Sequence, residues 1–425
     1  MVGSRRPGFG PALAVGEFRA LWTAEAQSVV GDQLAKVALT VLVFQRTGSA
    51  GLAALSFAAL LLPALVAGPL LSWIADVLPR RPVMVGCALT QAVLVGVMAV
   101  PGTPLWALFA LIVTVQLVQA PFAAAQAALL PVILSGEPYQ AAQALRQITR
   151  QVGMLAGLGF GGIAVATLGV STALLVDAVT FLLAALVIRL GVASRPAAAP
   201  RGPVDPDGAT HGATDGATDD GAGFLGGLGL VWHDRRLRSL VALAWLAGFA
   251  VVPEGLAAPF AASAGAGPSA VGWLLAVDPA AMAVGAYVMV RFVDQDTRLR
   301  LLGPLAVLTV LPLLGYAAGP GLTTALVLLA LSGLFAAYQV TASATFMELV
   351  PDARRGQAYG VARSGLVAAQ GLGVAAGGLV AELTGSVSWT IALAGAAGLL
   401  VAVPAAVGWR RASTRHPELS VSGAS

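Results

Sequence analysis

Hydrophobic positions in this chain come in long unbroken runs, not in alternation and not on one helical face. Twelve runs stand out, near 20–44, 51–75, 83–101, 104–130, 142–169 and 171–193, then 239–262, 270–292, 299–318, 322–346, 357–382 and 386–409. Each is close to the roughly 20 apolar residues that a helix needs to cross a bilayer. Glycine and proline recur inside them, as membrane helices tolerate. The pattern predicts an all-α integral membrane protein of twelve transmembrane helices (spans 1–12) in two six-helix bundles. Residues 20–193 form the first bundle and 239–409 the second, flanked by tails at 1–19 and 410–425. Between them, 194–238 opens with SRPAAAPRGPVDPDGATHGATDGATDDGAG, a Pro-, Gly- and Asp-rich stretch that reads as a linker. Residues 1–19 are polar and basic and the first run is span-length, so span 1 is expected to be a retained signal-anchor.

Composition sharpens this reading. Only 10% of the 425 residues are charged and 58% are hydrophobic, against roughly 25% charged in soluble domains. The net charge of +4 does not point to nucleic acid, because the basic residues follow topology. With both termini placed in the cytoplasm, 22 of the 24 basic residues fall on or near that side, leaving Lys36 and Arg46. The lone cysteine, Cys87, excludes an intrachain disulfide, and His211, His233 and His416 all lie outside the apolar runs, so no metal or haem site is expected in the membrane.

The two halves repeat at an offset of about 218 residues. Asp76 and Arg80 follow span 2, and Asp294 and Arg298 follow span 8 with the same spacing. Leu129-Leu130-Pro131 matches Leu349-Val350-Pro351, and Gly161-Gly162 matches Gly377-Gly378. Parallel repeats of this kind place a substrate path between the halves, near the membrane midplane.

On these residues the chain resembles transporters of the major facilitator superfamily over nearly its whole length. The segment SWIADVLPRR (72–81) is similar to the family's signature loop, with Asp76, Arg80 and Arg81 in register, and Ser72, Val77 and Pro79 departing from it. The resemblance implies that Asp76 braces a cytoplasmic gate, and the repeat supplies Asp294 and Arg298. The segment GMLAGLGFGG (153–162) resembles the span 5 motif of antiport exporters through Gly153, Gly157, Gly161 and Gly162, with Leu158 where that motif has proline. Close helix packing is the other reading of these glycines. The stretches 17–50 and 350–366 are similar to the branch that holds bacterial siderophore and macrolide exporters.

Candidate chemistry lies in the ionisable residues inside the spans, each costly to insert. Span 1 carries Glu25, Asp32 and Lys36 on one helical stripe, and Asp32 and Lys36 are spaced to pair. Glu254 follows Pro253 in span 7 and Asp278 precedes Pro279 in span 8, at comparable depth and at expected backbone breaks. Together with Asp177 these residues are the proton-coupling or substrate candidates. Gln116, Gln119, Gln339, Tyr338, Phe249 and Trp245 are the candidates for a cavity lining. The only lysine, Lys36, follows Ala35 within a span, so a Gly-Lys-Ser/Thr phosphate loop cannot be built. No nucleophile–base arrangement suggests an enzyme.

The expectation is a secondary active transporter, a proton-coupled antiporter for drug or metabolite efflux in the cytoplasmic (inner) membrane of a bacterium. It would need no cofactor beyond the proton gradient and would work as a monomer on small amphipathic, multidrug-type substrates. Its partners would be lipid, protons and substrate, with no nucleic acid. An importer or uniporter, and a non-transporting sensor or assembly factor, are the alternatives.

Overall fold

The computed structural model describes residues 9–71, 74–195, 228–351 and 354–414. Most of the expected linker, both chain ends, and Ser72 and Trp73 lie outside the described residues. Among the described residues, twelve helical segments are long and apolar enough to cross a membrane. They are α1 (Gly16–Thr47), α2 (50–71), α3 (Arg80–Met98), α4 (Leu105–Ile133), α5 (Glu137–Leu168) and α6 (Val170–Gly191). The second set is α7 (235–263), α8 (Pro268–Phe292), α9 (Gln295–Ala318), α10 (Leu322–Leu349), α11 (Arg355–Thr384) and α12 (Val387–Thr414). Short helices at Gly10–Ala14 and Ile74–Val77 flank α1 and precede α3. Several helices run a turn or more beyond their apolar runs: α1 is 32 residues long and ends in Gln45-Arg46-Thr47. Intrahelical hydrogen bonding continues where hydropathy stops, because a solvated polar turn satisfies a helix as well as an apolar one does.

Not all spans are continuous. The seventh breaks into Arg235–Trp245, Ala247–Ala250, Val252–Gly255 and Ala257–Ser263. Pro253 and Pro259 withhold the donors that would bond the carbonyls of Phe249 and Gly255. Tighter bonds such as Glu254 N–H to Val251 O (3.0 Å) carry the chain across. The ninth tightens into a 3-10 helix over Leu311–Ala318, at Pro312. Pro279, by contrast, sits inside a continuous α8, so the break expected beside Asp278 is absent.

By contacts the described residues divide into two units. One takes those of Met1–Gly48, Ala59–Pro203 and Gly267–Trp273; the other takes those of Ser49–Ala58, Val204–Ala266 and Leu274–Ser425. Each therefore includes the opening turns of one helix from the opposite repeat. The first unit's core gathers Leu21, Met84, Leu129 and Ile188 from α1, α3, α4 and α6. The second gathers Leu240, Leu302, Tyr338, Phe346 and Trp409 from α7, α9, α10 and α12. Leu190, Leu383 and Leu400 are 77–78% exposed, a placement that suits lipid and not water.

The repeat is visible in backbone detail. Glycines with positive φ end corresponding helices 216–217 residues apart: Gly48 and Gly265, Gly102 and Gly319, Gly169 and Gly385. Gly161 lies on Val37 of α1 and Gly377 on Val252 of α7. Gly162 meets Gly272 at the start of α8, and Gly378 meets Gly51 and Ala54 at the start of α2. Each glycine pair on α5 and α11 thus serves two neighbours at once, in the same way in both units.

Candidate functional site

The first unit holds a cavity of about 260 Å³ within its own helices. Asp32, Gln33 and Lys36 of α1, Gln91 of α3, Gln116 and Gln119 of α4, and Asp177 of α6 supply its polar lining, and Val95, Met98, Ile112 and Leu174 are among its apolar residues. Two carboxyls and one ammonium thus share a cavity inside membrane-spanning segments, where unpaired charge is costly.

Local sequence explains how Asp177 reaches α1. The side chain is 1% exposed. It lies against Gly31, where any Cβ would collide with Asp177 Oδ1 and Thr180 Oγ1. Thr180 Oγ1 donates to the Asp177 carbonyl (2.8 Å) and lies 3.3 Å from Oδ1. On the far side of α1, α5 packs through its glycines: a Cβ at Gly157 would stand 2.7 Å from Gln33 Cβ and 2.8 Å from Val30 O. The span 5 motif thus brings α5 down onto the helix that carries Asp32 and Gln33, while Gly162 faces Gly272.

Hydrogen bonding orients the amides. Gln116 donates from Nε2 to the Leu60 carbonyl, and Gln91 donates from Nε2 to Gln119 Oε1 (2.8 Å). A backbone carbonyl only accepts, so the Gln116 amide is fixed with its nitrogen there, and its oxygen and a second N–H remain. Gln33 Oε1 is buried and has no hydrogen-bond partner.

The span 1 stripe does not act as one surface. Glu25 is 9% exposed and accepts from Arg146 of α5 through both carboxylate oxygens, at 2.5 and 3.2 Å. Gln126 of α4 donates to it at 3.3 Å, and Arg150 approaches to 3.6 Å. Glu25 therefore joins α1, α4 and α5 in a buried ionic network, while Asp32 and Lys36 line the cavity. Arg146, counted from sequence only for topology, is 7% exposed. Gln33 and Gln91 were not singled out from sequence; their one signal was a polar residue inside an apolar run.

In the second unit Asp278 lies within electrostatic reach of Glu254, and Glu254 occupies the short Val252–Gly255 piece of α7. Of the candidates for a cavity lining there, Tyr338 is fully buried in the core and donates to Leu243 O (2.6 Å). Trp245 donates to Ala362 O (3.2 Å) and lies across Gly365 of α11. Phe249 packs against the same core, and Gln339 is half-buried.

Around the signature loop, Arg80 donates to Ala128 O (2.9 Å) of α4 and Arg81 to the Arg189 carbonyl of α6. Asp76 falls on the Ile74–Val77 helix, but its side chain is outside the described residues. Its repeat counterpart Asp294 caps α9, accepting from Thr297 N–H (2.8 Å). That bond holds the Asp294 carboxyl below the usual carboxylate range. Arg298 Nε is buried without a partner.

Comparison with known proteins fits this architecture. No curated protein matches the chain. A POT family transporter in complex with a thioalcohol-conjugated peptide superimposes with TM-score 0.69 at 11% identity, over 93% of this chain and 96% of that one. A bacterial homolog of the human lysosomal transporter Spinster gives 0.68 at 15% identity, over 96% and 98%. The nucleoside transporter NupG gives 0.63 at 15% identity, over 94% and 99%. At such identities the likeness is one of fold. The profile of the Major Facilitator Superfamily matches residues 21–260 and again 240–424. One match per repeat, on a twelve-span helical chain, makes this protein a member of the Major Facilitator Superfamily, a multi-pass membrane transporter and not an enzyme.

Proposed function

We propose that the chain is a proton-coupled exporter of small amphipathic organic compounds. The observation that carries this reading is the cavity in which Asp32, Lys36 and Asp177 stand beside glutamine amides and apolar side chains. Such a lining suits a ligand with a polar head and an apolar body, and an acid inside it can exchange a proton for that ligand. Proton binding and substrate binding then favour different states, and the drive can be no larger than the difference in binding between them. Glu254 and Asp278 form a second candidate pair for the proton. Asp76 and its repeat counterpart Asp294, with Arg80, Arg81 and Arg298, are assigned to a gate on the cytoplasmic side. The protein would work as a monomer in a bacterial cytoplasmic membrane with both termini inside. Export rests on the resemblance of the α5 glycine motif to antiporters. The peptide and nucleoside transporters that share the fold keep an importer as the second reading.

The test is accumulation of fluorescent amphipathic compounds in cells stripped of their major efflux pumps. Wild-type protein should lower accumulation, and a protonophore or Asp32→Asn should restore it. Unchanged accumulation across the panel, with the protein present in the membrane, would remove export. Exclusion that persists in Asp32→Asn would remove Asp32 as the coupling acid.

A further inference from the structure

At one end of the second unit α7 and α9 start and α12 stops, and their terminal turns pack together. Arg236 Nε donates to Ala412 O (3.3 Å) and Trp409 Nε1 to Leu299 O (3.0 Å), so the last turn of α12 touches the first turns of both. Arg235, Arg236 and Arg238 stand on the α7 turn, Arg298 and Arg300 on the α9 turn, and Arg410 and Arg411 on the α12 turn. The aspartates among them are Asp234, Asp294 and Asp296. Asp234 and Asp294 cap α7 and α9 by accepting from backbone N–H groups, and Asp294 also feels Arg300. The dipole of α7 disfavours cations in its first turn, yet Arg235 and Arg236 both lie there. Topology places basic residues at the matching turns of the first unit too, but that unit engages them inwardly. Arg80 and Arg81 donate to carbonyls of α4 and α6, and Arg195 pairs with Glu17 at 2.6 Å. Of the described arginines at those turns Arg19 and Arg189 are exposed, whereas the second unit exposes Arg235, Arg238, Arg300, Arg410 and Arg411.

An apolar stripe leads up to this basic end. Leu400, Val403 and Val407 of α12 are exposed. Steps of three and four residues put them on one helix face, and that face continues into Arg410 and Arg411. From Leu400 to Arg410 a helix rises about 15 Å, half of a hydrocarbon core roughly 30 Å thick. The stripe therefore matches the depth of one leaflet, with guanidinium groups at its polar boundary. Trp232, half exposed, lies at the same boundary and accepts from Arg238 through its carbonyl, where tryptophan is favoured. We propose that this end of the second unit binds a phospholipid with an anionic headgroup. The phosphate sits among the arginines of α7, α9 and α12, and an acyl chain lies along Leu400, Val403 and Val407. A soluble phosphate would meet the arginines and leave the stripe bare. A zwitterionic lipid would cover the stripe but bring a cation of its own to the arginines. The binding does not depend on what the protein transports or in which direction.

The experiment titrates the detergent-purified full chain with three ligands and counts retained molecules by native mass spectrometry. The ligands are dioleoyl phosphatidylglycerol, dioleoyl phosphatidylcholine with the same two chains, and glycerol 3-phosphate, which has the phosphate and no chain. Phosphatidylglycerol should bind at least about tenfold tighter than either of the others, since an anion near a basic membrane boundary gains about 1 kcal/mol per arginine. Joint Arg410→Gln and Arg411→Gln should weaken phosphatidylglycerol roughly thirtyfold on the same scale and leave phosphatidylcholine unchanged. Joint Arg235→Gln and Arg238→Gln should act in the same direction. Joint Arg19→Gln and Arg189→Gln, the exposed pair of the first unit, should leave phosphatidylglycerol binding as it is. Equal retention of the two lipids would overturn the proposal, as would phosphatidylglycerol binding that ignores both second-unit pairs. A loss of equal size in the first-unit pair would reduce the effect to general surface charge and overturn it too. Glycerol 3-phosphate binding as tightly as the lipid would replace the lipid site by a plain anion site. Should one second-unit pair fail to give monodisperse protein, the three-ligand comparison on the wild-type chain and the other pair still decide.

Discussion

Glu25 and Asp32 sit seven residues apart on one helix, and the structure surrounds them differently. Glu25 is closed in by Arg146, with Gln126 and Arg150 completing the network. Removing one member of a buried pair leaves the other uncompensated, at about 3–5 kcal/mol. Glu25→Gln or Arg146→Met should therefore lower thermal stability in detergent sharply, and joint replacement of both by methionine should recover much of it. Additive losses in the double variant would show that the pair is not coupled. Gln33 predicts the opposite sign. Gln33→Met removes a buried unpaired acceptor and should raise stability by about 1 kcal/mol, read as a higher melting temperature; a lower one would mean that the amide is satisfied. Asp294 adds a pH dependence. Its folded-state carboxyl is held low by Thr297, so its contribution is present above the unfolded carboxyl pKa and is lost as pH falls through the lower folded value. The melting-temperature gap between wild type and Asp294→Ala should be full at neutral pH and close below roughly pH 4. Which acid does what was only partly legible in the sequence. Spacing put Glu25, Asp32 and Lys36 on one stripe, but spacing along α1 says nothing of Arg146, which comes from a helix more than a hundred residues away.

Among the helices, α5 and α7 show what local sequence does and does not announce. The α5 glycines were visible as a motif, and close packing was one reading of them. What they pack against was not visible: Gly153, Gly157 and Gly161 face α1, while Gly162, one residue out of step, faces Gly272. A Cβ at Gly162 would stand 2.7 Å from Gly272 backbone atoms and from Ser269 O, none of which can rotate away. Gly162→Leu should abolish stable expression, measured as monodisperse protein on size exclusion, whereas Gly159→Leu, with nothing near it, should be tolerated. Equal behaviour of the two variants would contradict this packing. In α7 the prolines foretold breaks that the structure contains. In α8 the same reasoning failed at Pro279, because one missing donor inside a long, well-packed helix can be absorbed.

For the whole molecule, the fold was legible almost in full. Length and apolarity of the runs gave twelve spans, and matched pairs such as Gly161-Gly162 and Gly377-Gly378 exposed the repeat. The cavity was not, since Asp177, Gln33 and Gln91 become neighbours only through tertiary packing of α1, α3 and α6. The composition of the two units also bears on synthesis. Residues Gly267–Trp273 belong with the first unit and Ser49–Ala58 with the second. As the chain leaves the ribosome, six inserted helices therefore do not make a finished bundle. The Gly162 surface of α5 stays uncovered until the start of α8 has been made and inserted, and the opening turns of α2 wait longer still, for Gly378 of α11. The repeats are interlaced during assembly, so a ribosome stalled after the sixth helix would leave a bundle with a bare glycine face, a natural target for quality-control proteolysis.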